Sequence, residues 1–196
     1  MREALVGYWD PAPSVAASAE LAFDNPGGTF HHLGLPESYL KGRWDQRNRL
    51  NVPGPFYCGE TDTCWTGRIY APAHVLYDDD GLEFVYRQPA NSAQMHAVLS
   101  AAFAEVFSGY AADGDDHWTP NGVRDWWRER RHVLEWISRA NDRIRDGHAE
   151  GGEMLFGLAA YAQYFANGLE TYLRCYSFWL DNRRSPRPND RLPHIG

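Results

Sequence analysis

The second half of the chain has the clearest alternation of apolar and polar positions. Apolar side chains recur there at spacings of three and four, the pattern of amphipathic helices. This pattern predicts three helices, over about 91–110, 119–145 and 153–182. The second begins with Thr119 and Pro120, a capping residue followed by a proline at the first helical position, where no backbone N–H is needed.

The third predicted helix carries its polar residues on one narrow face. Four of them recur at steps of four, three and four, namely Gln163, Asn167, Glu170 and Arg174. Because most other positions are apolar or aromatic, we expect this helix to pack on several sides and to lie centrally. The polar face is either a solvated face with a Glu170–Arg174 pair or the lining of a pocket near Tyr164 and Tyr172. The pattern favours the solvated face.

The first half is irregular, with short runs typical of strands. Residues 75–77 and 82–87 are rich in β-branched and aromatic side chains, and Asp78–Gly81 joins them. An Asp-Gly pair between two such runs predicts a tight antiparallel hairpin, because glycine accepts the positive φ that the turn requires. Before this hairpin, residues 45–68 are dense in proline, glycine and polar side chains, which predicts a long ordered loop.

These elements together predict an α+β fold. A small antiparallel β hairpin or sheet in the N-terminal half is expected to pack on a bundle of three long C-terminal helices. We expect a single globular domain over 1–182, irregular and β over 1–90 and helical over 91–182. Residues 183–196 are rich in proline and arginine and are predicted to form a loose C-terminal tail.

Composition narrows the possible function classes. The chain has 19 basic and 26 acidic residues, a net charge of −7, and only one of the basic residues is a lysine. Coating nucleic acid requires a concentrated positive surface, so that role is disfavoured. No apolar stretch approaches the ~18 residues that span a bilayer, and the first ten residues lack the apolar core of a secretory signal. We therefore expect a cytoplasmic protein without membrane or nucleic-acid partners.

One candidate catalytic site lies in the long loop, where ionisable and hydrogen-bonding groups are close in sequence: Tyr57, Glu60, Asp62, Cys64 and Arg68. In an enzyme, Glu60 or Asp62 would act as general acid or base and Cys64 as a nucleophile or ligand. Tyr57 and Arg68 would then position the substrate. The other interpretation is a structural loop whose polar groups satisfy its own backbone, and the sequence favours it.

A metal site is a lesser alternative. Cys58 and Cys64 are separated by five residues, more than the about two to four common in structural zinc sites, and Cys175 is isolated. The chain contains no HExxH, GxSxG, Walker or GxGxxG motif, which removes most well-marked hydrolases, NTPases and dinucleotide-binding enzymes. An odd number of cysteines also agrees with reduced thiols. We therefore predict neither a cofactor nor a metal.

A second candidate site combines acidic and aromatic side chains. Asp115 and Asp116 precede Trp118 and the Trp126–Trp127 pair, in a chain of which 14% is aromatic. Exposed tryptophans favour contacts with partners, and acidic groups attract a basic partner and speed its association. This combination predicts a protein-binding surface for a basic target.

Three segments resemble a known group of proteins. They are Trp44–Tyr57, which contains the sequence Asn-Val-Pro-Gly-Pro, and the shorter segments Thr61–Cys64 and Glu83–Pro89. They resemble small cytoplasmic proteins of high-GC bacteria, some of which are similar to immunity proteins of polymorphic toxin systems. The resemblance covers about residues 44–89 and has no diagnostic motif, so it implies no particular functional residue.

The leading hypothesis is a non-catalytic acidic protein-binding module, an immunity-type protein that neutralises a bacterial toxin. The negative charge, the aromatic content and the lack of catalytic motifs support it. The alternative is a small bacterial enzyme of an unfamiliar class, in specialised metabolism, with a small-molecule substrate and a site in the 45–68 loop and the polar face of the third helix. A pocket joining these groups would favour the enzyme, and a loop whose polar groups bind its own backbone would disfavour it.

Overall fold

A computed structural model describes residues 7–24, 30–146 and 152–196, and it has the predicted α+β architecture. The helices are α1 (Ala12–Ala16), α2 (Gly67–Tyr70), α3 (Ser92–Ala104), α4 (Gly114–His117), α5 (Pro120–Arg128), α6 (Arg131–Arg145), α7 (Gly152–Asn167) and α8 (Leu169–Asn182). The strands are β1 (Ala22–Asp24), β2 (Phe30–His32), β3 (Tyr57–Cys58), β4 (Val75–Tyr77), β5 (Glu83–Val85) and β6 (Tyr110–Ala111). Short strands therefore occupy the N-terminal half, and the long helices α6–α8 pack together in the C-terminal part.

The strands of the described ranges form three separate antiparallel pairs. β1 pairs with β2, β3 with β6, and β4 with β5. In the last pair Val75 faces Val85, and the connecting turn contains Gly81 at φ +82°. The predicted hairpin is therefore confirmed, with glycine where the turn requires a positive φ. The β3–β6 pair places the Tyr57–Cys58 segment beside the chain that follows α3.

Helix α3 begins where the pattern predicts but ends earlier. Its N-cap is Asn91, whose side chain accepts a 3.0 Å hydrogen bond from the Gln94 amide. The helix stops at Ala104 instead of continuing to Tyr110, because Glu105 takes an extended conformation with ψ 119°. The Glu105 carboxylate accepts a hydrogen bond from the distant Asp62 amide, and this tertiary interaction overrides the local helical pattern.

The other two predicted helices are each divided in two. Between α5 and α6, the His132 amide donates to the Glu129 carbonyl oxygen at 3.2 Å, a three-residue spacing tighter than that of an α-helix. Between α7 and α8 the break falls at Gly168, and glycine is a poor helix former. A side chain there would also approach the Tyr164 ring, with its Cβ 3.0 Å from that ring.

The core has two parts. The larger joins α5–α8 to the β4–β5 hairpin through aromatic contacts, for example between Phe84 and Trp136, whose ring centroids are 5.1 Å apart. The smaller lies beneath α2 and α3 and includes Phe56 and Leu99. Within the part of the chain that the structure describes, no helix has the length and apolar character to cross a membrane.

Residues 183–196, which the sequence predicts to be a loose tail, return to the helical layer. Ile195 is buried in the larger core, where it removes apolar surface from water. Arg174 donates from Nε to the Pro193 carbonyl oxygen at 3.0 Å. An ion pair of 2.6 Å between Arg184 and Asp190 closes the turn that precedes this contact. The tail is therefore part of the folded body.

Candidate functional site

Asp62, one of the predicted catalytic residues, is a buried structural carboxylate. Its Oδ1 accepts a 2.7 Å hydrogen bond from the Cys64 amide, and its Oδ2 accepts a 3.1 Å bond from the Val106 amide. The two oxygens therefore hold together the long loop and the segment after α3. Both oxygens accept hydrogen bonds from backbone amides. This agrees with the interpretation of the loop as a structural one.

Glu105 reinforces the same junction from the other side. Its Oε1 accepts from the Asp62 amide at 2.8 Å and from the Phe107 amide at 2.9 Å. Its Oε2 accepts from the Gly109 amide at 2.6 Å. Hydrogen bonds from amides to a charged carboxylate are stronger than those between neutral groups. Glu105 and Asp62 together fix the backbone of 62–66 relative to that of 105–109.

Three apolar side chains on the two segments that these carboxylates join face solvent. Trp65 is 49% exposed, Val106 71% and Phe107 70%, and we call these three residues the Trp65 surface. The sequence does not indicate this surface, because Val106 and Phe107 fall on the apolar stripe of a predicted helix that in fact ends before them. Exposed apolar groups on adjoining loops are typical of contact sites rather than of a folded core.

The backbone of the Trp65 surface is strained and yet well supported. Trp65 has φ +61°, a left-handed conformation that non-glycine residues rarely adopt, and Ser108 beside Phe107 has φ +57°. The Trp65 carbonyl oxygen accepts from the Tyr77 hydroxyl at 2.7 Å, and the two rings stack with centroids 5.4 Å apart. Strained backbone persists where its surroundings fix it, and such positions are concentrated at functional sites.

Charged groups surround the Trp65 surface. Glu60 is exposed and lines a small cleft of about 250 Å³ beside Phe107, together with Lys41 and Arg43. Arg43 is paired at 2.5 Å with Asp45.

The remaining predicted catalytic residues lie in different surroundings. The Tyr57 hydroxyl donates to Asp113 Oδ1 at 2.8 Å, and burial of this phenol raises its pKa. Arg68 donates from Nη1 to the carbonyl oxygens of Pro72 and Val75 at 3.0 and 2.9 Å. These contacts direct Tyr57 towards the segment after β6 and Arg68 towards the segment that joins α2 to β4. The structure therefore does not bring them together with Glu60 as a catalytic group.

The two cysteines of the predicted metal alternative differ in environment. Cys58 is fully buried, and burial raises the pKa of its thiol. Cys64 is exposed, and the neighbouring Asp62 carboxylate raises its thiol pKa, which is unfavourable for a nucleophile. In the described ranges no three or more His, Cys, Asp or Glu side chains are grouped so that they could hold a metal ion.

A third buried carboxylate, Glu83, lies on the hairpin strand β5 and was not predicted from the sequence. It accepts a 2.7 Å hydrogen bond from the Gly67 amide and a short one from the Tyr110 hydroxyl. Its own amide donates to Thr61 Oγ1 at 2.8 Å. Burial raises the pKa of this carboxyl to about 7, so Glu83 titrates near neutral pH.

The predicted acidic and aromatic surface is largely internal. Asp115 accepts hydrogen bonds from the Tyr176 hydroxyl at 2.7 Å and the Tyr8 hydroxyl at 3.4 Å, and burial raises its pKa to about 6. Trp126 and Trp127 are buried, so the expectation that they are exposed is wrong. Trp126 and Trp127 are buried because they lie on the apolar stripe of helix α5.

Two members of that group are nearer to solvent. Asp116 is exposed, and Trp118 is half-buried with its ring centroid 5.2 Å from that of Trp44. Trp118 lines a cavity of about 480 Å³ whose charged side chains include Arg47 and Arg49. A cavity with two arginines does not match the acidic surface that the sequence predicts there.

The predicted polar face of the third helix is divided by the break at Gly168. Gln163 and Glu170 are exposed, and Arg174 is directed to the C-terminal segment, so its expected pairing with Glu170 does not form. Asn167, one of the four, lines a cavity. This cavity, of about 530 Å³, also contains Tyr164 and Tyr172, the two residues that the pocket interpretation named.

We call this cavity the Arg87 cleft, after its one side chain that is charged at neutral pH. It lies between the segment 7–9, the segment 87–90 and the α7–α8 junction, and its full lining is Gly7, Tyr8, Trp9, Arg87, Gln88, Pro89, Ala90, Gln94, Tyr164, Asn167, Gly168, Thr171, Tyr172 and Cys175. Arg87 follows β5 directly, and its guanidinium carbon lies 4.4 Å from the centroid of the Tyr164 ring.

Comparison with models of protein families, with curated proteins and with solved structures finds no match for this chain. Its function is therefore inferred from the geometry and chemistry of its own side chains.

Proposed function

We propose that this protein is a non-catalytic binding module for a basic protein, and that the Trp65 surface is its contact. The observation that carries the proposal is that Trp65, Val106 and Phe107 are exposed while two buried carboxylates fix the backbone beneath them. A rigid loop presents its side chains without the ordering cost that a mobile loop incurs on binding.

The chemistry of the Trp65 surface fits a protein partner. Tryptophan and other large side chains supply much of the affinity of protein interfaces when they fill pockets on the partner. The charged neighbours of the Trp65 surface are mixed, since Glu60 shares the cleft beside Phe107 with Lys41 and Arg43. Beside Trp65, the exposed Asp80 precedes Gly81, whose backbone approaches the Trp65 indole. With a net charge of −7, the chain attracts a basic partner from a distance.

The class of partner that the sequence resemblance implies is a bacterial toxin, which makes this an immunity-type protein. Such a protein needs an accurate binding surface and no catalytic groups of its own. Asp62, Glu105 and Arg68 are all engaged with backbone groups. This engagement supports the non-catalytic interpretation over the enzyme.

Phe107→Ala is expected to weaken partner binding by about tenfold or more, since truncating a central interface residue typically removes about 2 kcal/mol. The partner to test is the protein encoded beside this chain's gene, with affinity measured by calorimetry. The Phe107 backbone amide still binds Glu105 in this variant, so the loop stays in place. Leu134→Ala is the matched control, because Leu134 is also an exposed apolar residue, 45% exposed on α6.

The wild-type chain is also expected to abolish the partner's toxic activity at a one-to-one ratio. Equal affinity of the wild type and Phe107→Ala would contradict the contact. Absence of both binding and neutralisation would contradict the proposed function itself.

A further inference from the structure

The Arg87 cleft is separate from the Trp65 surface and carries an inference of its own. We propose that it binds a small aromatic monocarboxylic acid, with the carboxylate on the Arg87 guanidinium and the ring between the aromatic walls of the cleft. The two proposals rest on different residues, so either can fail without the other.

The charge of Arg87 is the first argument. Within the residues that the structure describes, its side chain has no ion pair and no hydrogen bond, and its Nε is buried without an acceptor. The guanidinium carbon of Arg87 lies 4.4 Å from the centroid of the Tyr164 ring and 5.9 Å from that of the Tyr86 ring. A ring face attracts the guanidinium cation. It does not accept hydrogen bonds from the guanidinium N–H groups, because these point outward in the plane of the guanidinium. A carboxylate in the cleft would provide acceptors for the Nη groups of the guanidinium.

The net charge of the cleft is the second argument. Its described lining contains one arginine and no Asp, Glu, Lys or His. The titratable side chains beside Arg87 stay neutral at physiological pH, because burial raises the pKa of Tyr164, Tyr172 and Cys175. The cleft therefore has a charge of one positive unit, which a single carboxylate balances. A dianionic phosphate carries two negative charges, so the single positive charge of the cleft would balance only one of them.

The shape and walls of the cleft indicate the rest of the ligand. A volume of about 530 Å³ is in the range of small-molecule sites. Tyr8, Trp9 and Tyr172 are aromatic residues of the lining, and aromatic rings stack favourably on one another. Asn167 and Thr171 at its edge are exposed and offer further hydrogen-bonding groups. A flat ring with one carboxylate matches these features.

The test uses the full chain with three probes: 2-naphthoate, its neutral analogue 2-naphthamide, and inorganic phosphate. Calorimetry is expected to show one-to-one binding of naphthoate, with naphthamide about tenfold weaker or worse, since a hydrogen bond between two charged groups is stronger than one to a neutral amide. Arg87→Met keeps the unbranched stem and removes the charge, and it is expected to abolish the preference for naphthoate. Arg130→Met is the matched control, because Arg130 also stacks on a ring, 4.2 Å from Trp127, outside the cleft.

Asn167→Asp is a second variant, at an exposed position of the cleft lining. Its added negative charge in the cleft lining is expected to weaken naphthoate several-fold more than naphthamide, because only naphthoate is charged. Equal binding of the acid and the amide, or binding of naphthoate that survives Arg87→Met, would overturn the proposal. So would phosphate competing with naphthoate at equal concentration, or no binding of naphthoate at all.

Discussion

Glu105→Ala is expected to lower the free energy of unfolding by about 2–6 kcal/mol, because three backbone amides lose their acceptor and each of the two fully buried ones costs about 1–3 kcal/mol when unpaired. The amides belong to Asp62, Phe107 and Gly109, so the loss falls on both segments beneath the Trp65 surface. Urea denaturation measures the effect through the shift of the midpoint at constant slope.

Glu105→Gln separates the loss of the acceptor from the loss of bulk. The amide keeps one oxygen of the two, so we expect roughly half of the destabilisation of the alanine variant. Glu135→Ala is the control, since Glu135 is an exposed partner of Arg131 and such pairs contribute at most about 1 kcal/mol. Equal stabilities for Glu105→Ala and Glu135→Ala would show that the carboxylate does not hold the two segments.

Stability is expected to fall as the pH rises from about 4.5 to about 7, and Glu83 is the main cause. Its carboxyl has a pKa of about 7 when folded and an ordinary value of 4.5 when unfolded, so in this window the folded state binds more protons. The stabilisation is complete below the lower value and is lost above the higher one. Its full size is about 3 kcal/mol, at 1.36 kcal/mol for each pH unit.

Glu83→Gln tests the origin of this pH dependence. The amide retains an acceptor for the Gly67 N–H and carries no charge, so we expect a flatter stability profile and a variant more stable than the wild type at pH 8. Asp115, with its pKa raised to about 6 by burial, contributes in the same direction, and Asp115→Asn measures its share. Denaturation at pH 5, 6, 7 and 8 gives the comparison. An unchanged slope in Glu83→Gln would assign the pH dependence to another group.

Local sequence signals predicted the elements that depend on local interactions. The hairpin with Gly81 is such a case, and so is the start of α5, where the Thr119 hydroxyl accepts from the Gly122 amide at 3.1 Å. Apolar periodicity did not predict the end of α3, because the Glu105 carboxylate binds Asp62, 43 positions away in sequence. No local pattern contains that contact. The fold class and the best hairpin were therefore predictable, and the ends of the helices were not.

The candidate site was also only partly predictable, because it too depends on contacts between residues that are distant in the sequence. Asp62 stands in a loop whose composition already favoured self-satisfied polar groups, and the structure agrees with that interpretation. The exposure of Trp126 and Trp127 was predicted from their acidic neighbours, although the helical stripe with Val123 was the better guide. Phe107 could not be recognised as exposed, since its exposure depends on where α3 ends. The sequence shows the chemical type of each side chain. Its exposure to solvent depends on contacts between residues that are distant in the sequence.

Hydroxyl-radical footprinting of the complex tests the Trp65 surface most directly. Trp65 and Phe107 are reactive aromatic side chains in the free protein because they are exposed, and Phe156, 78% exposed on α7, is an internal reference. With the neighbour-encoded partner bound, we predict that oxidation of Trp65 and Phe107 slows about tenfold, in line with burial at an interface core, while that of Phe156 and Trp118 is unchanged. Unchanged oxidation of Trp65 and Phe107 in a fully formed complex would contradict the account.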